Sequence, residues 1–197
     1  MSPKSSKQFE QIRQEKKKLI MDTALELFAE NGFHATSISQ ITKKAGISKG
    51  LIYNYFESKN EILQEITRSA FENIYSNFDL DKDGILTKEE FITFIRSSFR
   101  STVENRQFWK LYYALVLQPS ILDSYMHNYA KEGQRIMQMM RTFFESQGST
   151  NPEGDLFSVS CLLKGTYLIL VTAPEFFPFQ EMEDKVIQDC FKLISKK

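Results

Sequence analysis

The chain has 197 residues and a formal net charge of zero, with 25 Lys plus Arg and 25 Asp plus Glu. Its composition, 42% hydrophobic and 25% charged, excludes a disordered chain, and its length allows one domain or two small ones. No apolar run reaches the roughly 18 residues of a membrane span, and the N-terminus lacks a signal-peptide core. We therefore expect a cytoplasmic protein without membrane contact. Cys161 and Cys190 are expected to be reduced and buried, a disulfide or reactive thiol being the alternative.

The charge is unevenly distributed along the chain. Residues 1–60 hold ten basic and six acidic groups, a net of +4, and the remainder carries a net of −4. This asymmetry hints at a basic nucleic-acid-binding segment joined to an acidic body, although a solvated charged face gives the same pattern. The leader, with Lys4, Lys7, Arg13 and Lys16–Lys18, either reaches toward DNA or is a frayed charged end.

The spacing of apolar residues predicts an all-α fold of about nine helices with no convincing strand. The first apolar stripe stops at Gly32. Ser37 and Gln40 have the spacing of a capping box, which predicts a short second helix. We expect a three-helix N-terminal domain over residues 1–57 and a helical C-terminal domain over residues 58–197.

A helix-turn-helix pattern lies within the first domain. Gly46 can take the left-handed conformation of a helix C-cap, and Ser48 is the predicted N-cap of a helix over residues 49–56, KGLIYNYF. Such a second helix fits the major groove of DNA. The candidate DNA-contacting residues are Ser37, Ser48, Lys49, Gly50, Tyr53, Asn54, Tyr55 and Lys59.

Each candidate type has a physical reason to contact DNA. Gly50 has no Cβ and allows close backbone approach, and the hydroxyls of Ser48 and Tyr53 can reach phosphates. Asn54 can pair with a base edge, most naturally adenine. Lys59 lies at the start of the next helix, where the helix dipole also favours a phosphate.

The stretch ALELFAENGFHATSISQITKKAGISKGLIYNYFESKNEIL resembles the N-terminal domain of TetR/AcrR-type transcriptional regulators. The matching elements are F-x-x-x-G-F, T-S-I-x-x-I, A-G-I-S-K-G and Y-x-Y-F-x-S-K. The resemblance implies a homodimer that binds a palindromic operator, usually as a repressor. It places Gly50, Tyr53 and Lys59 on DNA-contacting positions. It also implies a C-terminal domain that binds an inducer and dimerises through its last two helices, here residues 156–173 and 182–194.

Residues 79–90, DLDKDGILTKEE, do not belong to that pattern and match a calcium-binding EF-hand loop. Three aspartates alternate, Gly84 stands at the sharp turn, and an acidic residue ends the loop. The candidate ligands are Asp79, Asp81, Asp83, Ile85 through its carbonyl, Thr87 and Glu90. An acidic solvated turn, followed by a capping box, is the alternative reading. No cofactor is required by the sequence, and Ca²⁺ is the cation that the spacing suits.

The C-terminal body is rich in aromatic and methionine side chains, which form either ordinary core or an apolar ligand pocket. By the resemblance, some should bind a small apolar or amphipathic effector. No catalytic motif is found, so an enzyme is not expected. A repressor released by such a ligand is the leading interpretation, and a calcium-responsive regulator is the alternative. The candidate pocket residues are Phe108, Trp109, Tyr112, Tyr113, Met137, Met140, Phe144 and Tyr167.

Overall fold

The computed structural model describes residues 6–176 and 178–195, apart from the side chains of residues 6, 124–126 and 179–181. Within these ranges it is built of α-helices and one 3₁₀ turn, Pro174–Phe176, without strands, which confirms the all-α prediction. The helices are α1 (Ser6–Asn31), α2 (Ile38–Ala45), α3 (Lys49–Ile52), α4 (Lys59–Tyr75), α5 (Lys88–Glu104), α6 (Arg106–Val116), α7 (Pro119–Ser146), α8 (Pro152–Thr172) and α9 (Phe179–Lys192).

The described residues form two compact units. The first contains the chain up to Ala70 together with Leu111–Leu122, and the second contains Phe71–Lys110 and the chain from Asp123 onward. The chain therefore passes between units inside α4, α6 and α7. The predicted boundary after residue 57 lies within the first unit. Hydrophobic periodicity shows where a helix lies, but it does not show which helices pack together, so the sequence did not give the true division.

Local capping chemistry sets the helix ends of the first unit. The Ser37 hydroxyl accepts from the Gln40 backbone N–H at 3.3 Å, and the Gln40 carboxamide accepts from the Ser37 N–H at 2.7 Å. Gly46 ends α2 in the left-handed conformation with φ 65°. Ile41 and Ile52 are fully buried. The predicted capping box and C-cap are confirmed.

A segment from the middle of the chain completes this unit. The Gln118 carboxamide donates to the Phe28 carbonyl at 2.9 Å and accepts from the Phe33 N–H at 3.2 Å. It thereby adds a second donor to the Phe28 carbonyl, which also accepts from the Gly32 N–H, and supplies an acceptor to the Phe33 N–H just after α1. Leu115 and Ile121, from the same segment, are buried. Nothing in the sequence pattern placed residues 111–122 with the N-terminal helices.

Aromatic packing organises the second unit. Phe91 of α5 is fully buried, and its ring lies 5.0 Å from that of Phe143 and 5.7 Å from that of Phe191. The Phe91–Phe191 pair is edge-to-face and the Phe91–Phe143 pair is tilted, and ring pairs at such distances add to the stabilisation from burial alone. These contacts join α5, α7 and α9 in the core.

The start of α8 differs from the sequence prediction. The sequence placed this helix at residues 156–173, but Asn151 is the N-cap, with its side chain accepting from the Gly154 N–H, and Pro152 is the first helical residue. Proline suits that position because its missing N–H would have no helical partner there. The Asn-Pro pair marks a helix start rather than a loop.

Asp155 in this first turn is 3% exposed and joins α8 to the residues after α9. Its carboxylate accepts from the Ser149 hydroxyl at 2.5 Å, the Ser195 N–H at 2.9 Å and the Ser195 hydroxyl at 2.7 Å. Burial raises the pKa of this carboxyl, but the hydrogen bonds from Ser149 and Ser195 outweigh burial and hold the pKa below its ordinary value.

Helix α8 buries one face and exposes apolar residues on the other. Phe157 is 71% exposed and Leu168 is 56% exposed in the single chain. Cys161 is also exposed, contrary to the prediction, since it lies on a helix side that the chain itself does not cover. By length and composition alone, α8 is the helix among the described residues that could cross a membrane. Its inner face is buried in the core: Leu156, Val159, Leu163, Leu170 and Val171.

Helix α9 uses its apolar stripe inside the second unit. Val186, Ile187, Cys190 and Ile194 are all buried in the core of this unit. Burial raises the pKa of the Cys190 thiol to about 12, and the nearby Asp189 carboxylate acts in the same direction. Cys190 is therefore a packed thiol that stays protonated at neutral pH, as the sequence predicted for it.

Candidate nucleic-acid interface

The second helix of the helix-turn-helix is shorter than predicted. Helix α3 spans four residues, Lys49–Ile52, instead of residues 49–56. Its N-cap is Ser48, whose hydroxyl accepts from the Leu51 N–H at 3.2 Å, as predicted. Beyond Ile52 the backbone tightens, because the Asn54 N–H donates to a carbonyl three residues back rather than four.

This tight turn still presents the predicted side chains to solvent. Lys49, Gly50 and Asn54 are exposed, Tyr53 is 48% exposed, and Tyr55 is half-buried. The exposed Ser48 hydroxyl, although it accepts the Leu51 N–H, keeps a proton that can be donated to a phosphate. Ser37 is also exposed, with its hydroxyl engaged in the capping box. The chain thus offers a positive charge, hydroxyls and a carboxamide along one short segment.

Gly50 has no intramolecular reason to be glycine. A Cβ placed on it would meet no heavy atom within 4 Å, and its backbone is helical rather than left-handed. Alanine is about 1 kcal/mol better than glycine inside a helix. A reason for glycine must therefore come from outside the described chain, which close approach of DNA would supply.

Lys59 is placed differently from the prediction. Its ammonium donates to the backbone carbonyls of Phe33 at 2.6 Å, Thr36 at 2.6 Å and His34 at 3.3 Å, and lies 4.5 Å from the centre of the Phe33 ring. Burial lowers the pKa of this lysine. Because an ammonium has three donors, Lys59 orders the loop before α2 rather than presenting its charge to a phosphate.

Substituting Lys59 with methionine is expected to lower the free energy of unfolding by about 1–3 kcal/mol, since three carbonyls lose a charged donor. Chemical unfolding of the full chain measures this change. Lys49→Met is the matched control, because Lys49 is exposed on α3 and should change stability by less than about 0.5 kcal/mol. Equal stabilities of the two variants would contradict the positioning role of Lys59.

Several cations of the basic segment are neutralised within the first unit. Lys44 of α2 lies 2.7 Å from Glu26 of α1, and Lys17 lies 2.5 Å from Glu65. The leader is helical from residue 6 onward rather than frayed, with Arg13 exposed. Lys4 lies outside the described residues. Fewer basic residues face solvent near α3 than the net charge of +4 for residues 1–60 suggests. Lys43 and Lys49 are among them.

The acidic loop, residues 79–90, brings its three aspartates together. One carboxylate oxygen from each of Asp79, Asp81 and Asp83 lies within 4.8 Å of the others. The Asp81 carboxylate accepts from the Asp83 N–H at 3.2 Å, and the Asp83 carboxylate accepts from the Ile85 N–H at 2.7 Å. Gly84 adopts φ 81°, as the sharp turn requires.

Glu90 and Thr87 are not oriented as cation ligands, contrary to the prediction. Both Glu90 oxygens accept hydrogen bonds: one from the Leu80 N–H at 2.9 Å, the other from the N–H and hydroxyl of Thr87 at 3.0 and 2.8 Å. These bonds, led by that from the Thr87 backbone, lower the pKa of Glu90. The pair forms the capping box of α5 and closes the loop. The side chain of Ile85 is exposed.

The aromatic pocket candidates are divided between the two units. Phe108 and Trp109 belong to the second unit, whereas Tyr112 and Tyr113 belong to the first. Met137 is 54% exposed. Trp109, Tyr112, Met140 and Phe144 are buried, and Phe108, Tyr113 and Tyr167 are half-buried.

Tyr167 provides a polar group within the apolar second unit. Its hydroxyl lies 2.6 Å from that of Ser98, and its ring packs edge-on against Phe99 at 5.0 Å. A few polar groups among aromatic side chains are typical of sites for amphipathic ligands, and equally of a hydrogen-bonded core.

Comparison with known proteins gives a family match for the N-terminal part of the chain. Residues 20–66 match the family model of bacterial regulatory proteins of the tetR family. Over 81 residues the chain is 35% identical to the fatty acid metabolism regulator protein of Bacillus subtilis (strain 168), an alignment that covers 41% of this chain and 42% of that protein. The chain spans between 21% and 42% of the length of the first curated relatives that it matches.

Two solved structures share the fold along almost the whole chain. NalD, the secondary repressor of the MexAB-OprM multidrug efflux pump in Pseudomonas aeruginosa, has a TM-score of 0.69 and 17% identity, covering 93% of this chain and 99% of its own. The fatty acid degradation regulator FadR from Bacillus halodurans has a TM-score of 0.62 and 16% identity, covering 96% and 97%. The fold is TetR-like, with an N-terminal helix-turn-helix and a helical C-terminal domain. The relative and the two structures named here are described as regulators or repressors.

Proposed function

We propose that this chain is a sequence-specific DNA-binding regulator of transcription, acting in the cytoplasm as a repressor that a small apolar or amphipathic ligand releases from a palindromic operator. The observation that carries the proposal is the exposed segment from Ser48 to Asn54, which follows a capped helix-turn-helix. Its glycine has no role within the chain. The match of residues 20–66 to the tetR family supports the same function.

A homodimer through residues 156–173 and 182–194 is supported mainly by α8. Phe157, Leu168 and Ile169 form exposed apolar positions on this helix, and burying them needs a second surface. Helix α9 contributes less than its sequence suggested, because its apolar stripe is already buried. Met182 and Leu193 are its exposed large apolar side chains. We therefore assign α8 the larger share of the dimer interface.

The ligand class follows from the second unit and from the related proteins. Its interior is dominated by aromatic and methionine side chains, with the Tyr167 hydroxyl among them. A relative and a structural neighbour are named as regulators of fatty acid metabolism and degradation. We propose that the effector is a molecule of that kind, with an apolar chain and one polar end.

Selection of bound duplexes from random-sequence DNA with the full chain tests the function directly. We expect an enriched palindrome, with affinity that falls linearly with salt on logarithmic scales. Asn54→Ala should weaken binding to that palindrome by about 5- to 150-fold if Asn54 reads a base. Asn128→Ala, which removes an exposed carboxamide from α7, should bind as the wild type does. Absence of an enriched sequence, or equal loss in both variants, would refute specific recognition by this segment.

The same complex tests the effector. Adding a long-chain fatty acid to the complex of wild-type protein and selected operator, followed by fluorescence anisotropy of the labelled DNA, should release the duplex. An unchanged anisotropy at saturating fatty acid would reject this ligand class while leaving the operator result intact.

A further inference from the structure

We propose that the acidic loop binds one hard divalent cation, of which Ca²⁺ is the best match, through the carboxylates of Asp79, Asp81 and Asp83. Their nearest oxygens lie within 4.8 Å of one another. Two ligands that each lie 2.3–2.6 Å from a calcium ion can be at most about 5 Å apart. These separations are compatible with a single ion that contacts all three side chains.

The burial of Asp79 distinguishes this loop from an acidic turn whose carboxylates are all solvated. The side chain of Asp79 is only 7% exposed. Its Oδ2 accepts from Arg135 Nη1 at 3.1 Å, whereas its Oδ1 is buried and has no hydrogen-bond partner among the described residues. A buried carboxylate oxygen without a donor or water is costly, and a cation held by the cluster would remove that cost.

The charges of the loop also favour a cation. Three carboxylates converge, and among them only that of Asp79 pairs with Arg135, whose guanidinium also pairs with Glu132 at 2.9 Å. Hydrogen bonds from the backbone to Asp81 and Asp83 fix their carboxylates in spite of the repulsion between like charges. A divalent ion would balance the excess negative charge that the guanidinium leaves.

The expected affinity is weak because the loop lacks the bidentate glutamate of a full EF-hand. Glu90 is held by Leu80 and Thr87, so it contributes to loop closure and not to the ion. Asp81 and Asp83 are exposed, and water can complete the coordination. We expect a dissociation constant of about 10⁻⁴–10⁻³ M, in the range of the weaker EF-hand sites.

Calorimetric titration of CaCl₂ into the EDTA-dialysed full chain is the test, and it contains no DNA, so it is independent of the proposed regulatory function. We expect one ion per chain and a rise in the melting temperature with Ca²⁺. Asp81→Asn should weaken binding by about tenfold or more and abolish the rise in melting temperature. This variant keeps the side-chain oxygen that accepts from the Asp83 N–H, so the loop should retain its fold.

Asp123→Asn is the matched control, since it removes one exposed carboxylate from α7. It should bind Ca²⁺ with the wild-type affinity. The proposal is overturned if the wild type gives no saturable heat at millimolar Ca²⁺, or if Asp81→Asn binds as tightly as the wild type. Equal weakening in the Asp123→Asn variant would show general electrostatic attraction instead of a site.

Discussion

Replacing Gly50 with alanine is expected to weaken operator binding by about tenfold to a hundredfold, the equivalent of losing one good base contact. The same change should leave the fold intact and raise the free energy of unfolding by about 0.4–1 kcal/mol. The two effects have opposite signs because the added methyl group meets nothing inside the chain but stands where the DNA backbone or a base edge would come closest.

The control for this experiment is Gly133→Ala in α7. Gly133 is also helical, and a Cβ there would also meet no heavy atom within 4 Å. We expect a similar gain in stability with unchanged DNA affinity. Titration of a labelled operator and chemical unfolding of both variants give the two measurements. Wild-type affinity in Gly50→Ala would show that the α3 backbone does not approach DNA closely.

Replacing Asp155 with alanine should lower the free energy of unfolding by about 3 kcal/mol, because a buried charged acceptor is removed and its donors are left without a partner. The three donors come from Ser149 and Ser195. Unfolding in urea can be followed by the fluorescence of Trp109, the only tryptophan of the chain, which is buried in the same unit.

Ser195→Ala is a milder variant whose loss of stability can be compared with that of Asp155→Ala. It removes one of the three hydrogen bonds while the carboxylate keeps the Ser195 N–H, so a loss of about 1 kcal/mol is expected. If both variants were as stable as the wild type, the contacts of Asp155 would contribute nothing to holding the residues after α9 against the start of α8.

Asp155 should also make the second unit sensitive to acid. Its pKa in the folded chain lies below the ordinary 3.8. A carboxyl with a lowered folded-state pKa contributes stability that is complete above its unfolded pKa and is lost as the pH falls through the folded pKa. Stability should therefore decline below about pH 4, and the decline should be smaller in Asp155→Ala. Equal acid dependence in the two proteins would assign the decline to other groups.

Local chemistry explains which parts of the site could be predicted from sequence. The capping box of Ser37 and Gln40 and the left-handed Gly46 depend on residues within a few positions of one another, and the structure contains both. The contacts of Lys59 with carbonyls 23 to 26 residues earlier, and those of Gln118, join distant segments. No spacing rule encodes such contacts, which is why Lys59 was expected to face a phosphate.

The acidic loop shows a different limit of prediction from sequence, because the same residues match two structural motifs. Thr87 and Glu90 have the spacing of a capping box and of the last two ligand positions of an EF-hand. The structure contains the capping box, because the Thr87 and Leu80 N–H groups are close donors that need an acceptor. Asp81 and Asp83 also accept backbone N–H groups, but these hydrogen bonds lie within the loop and leave the three aspartates close together.

The division of the first unit between two stretches of sequence limits how this protein can be taken apart. A fragment that stops near residue 57, where the sequence suggested a boundary, would leave behind Leu115, Ile121 and the Gln118 carboxamide that closes the end of α1. Chimeras made by exchanging only that fragment would pair the transplanted helix-turn-helix with a foreign 111–122 segment. A graft that preserves the packing of the first unit must carry both stretches, so modular exchange here means replacing two pieces of chain at once.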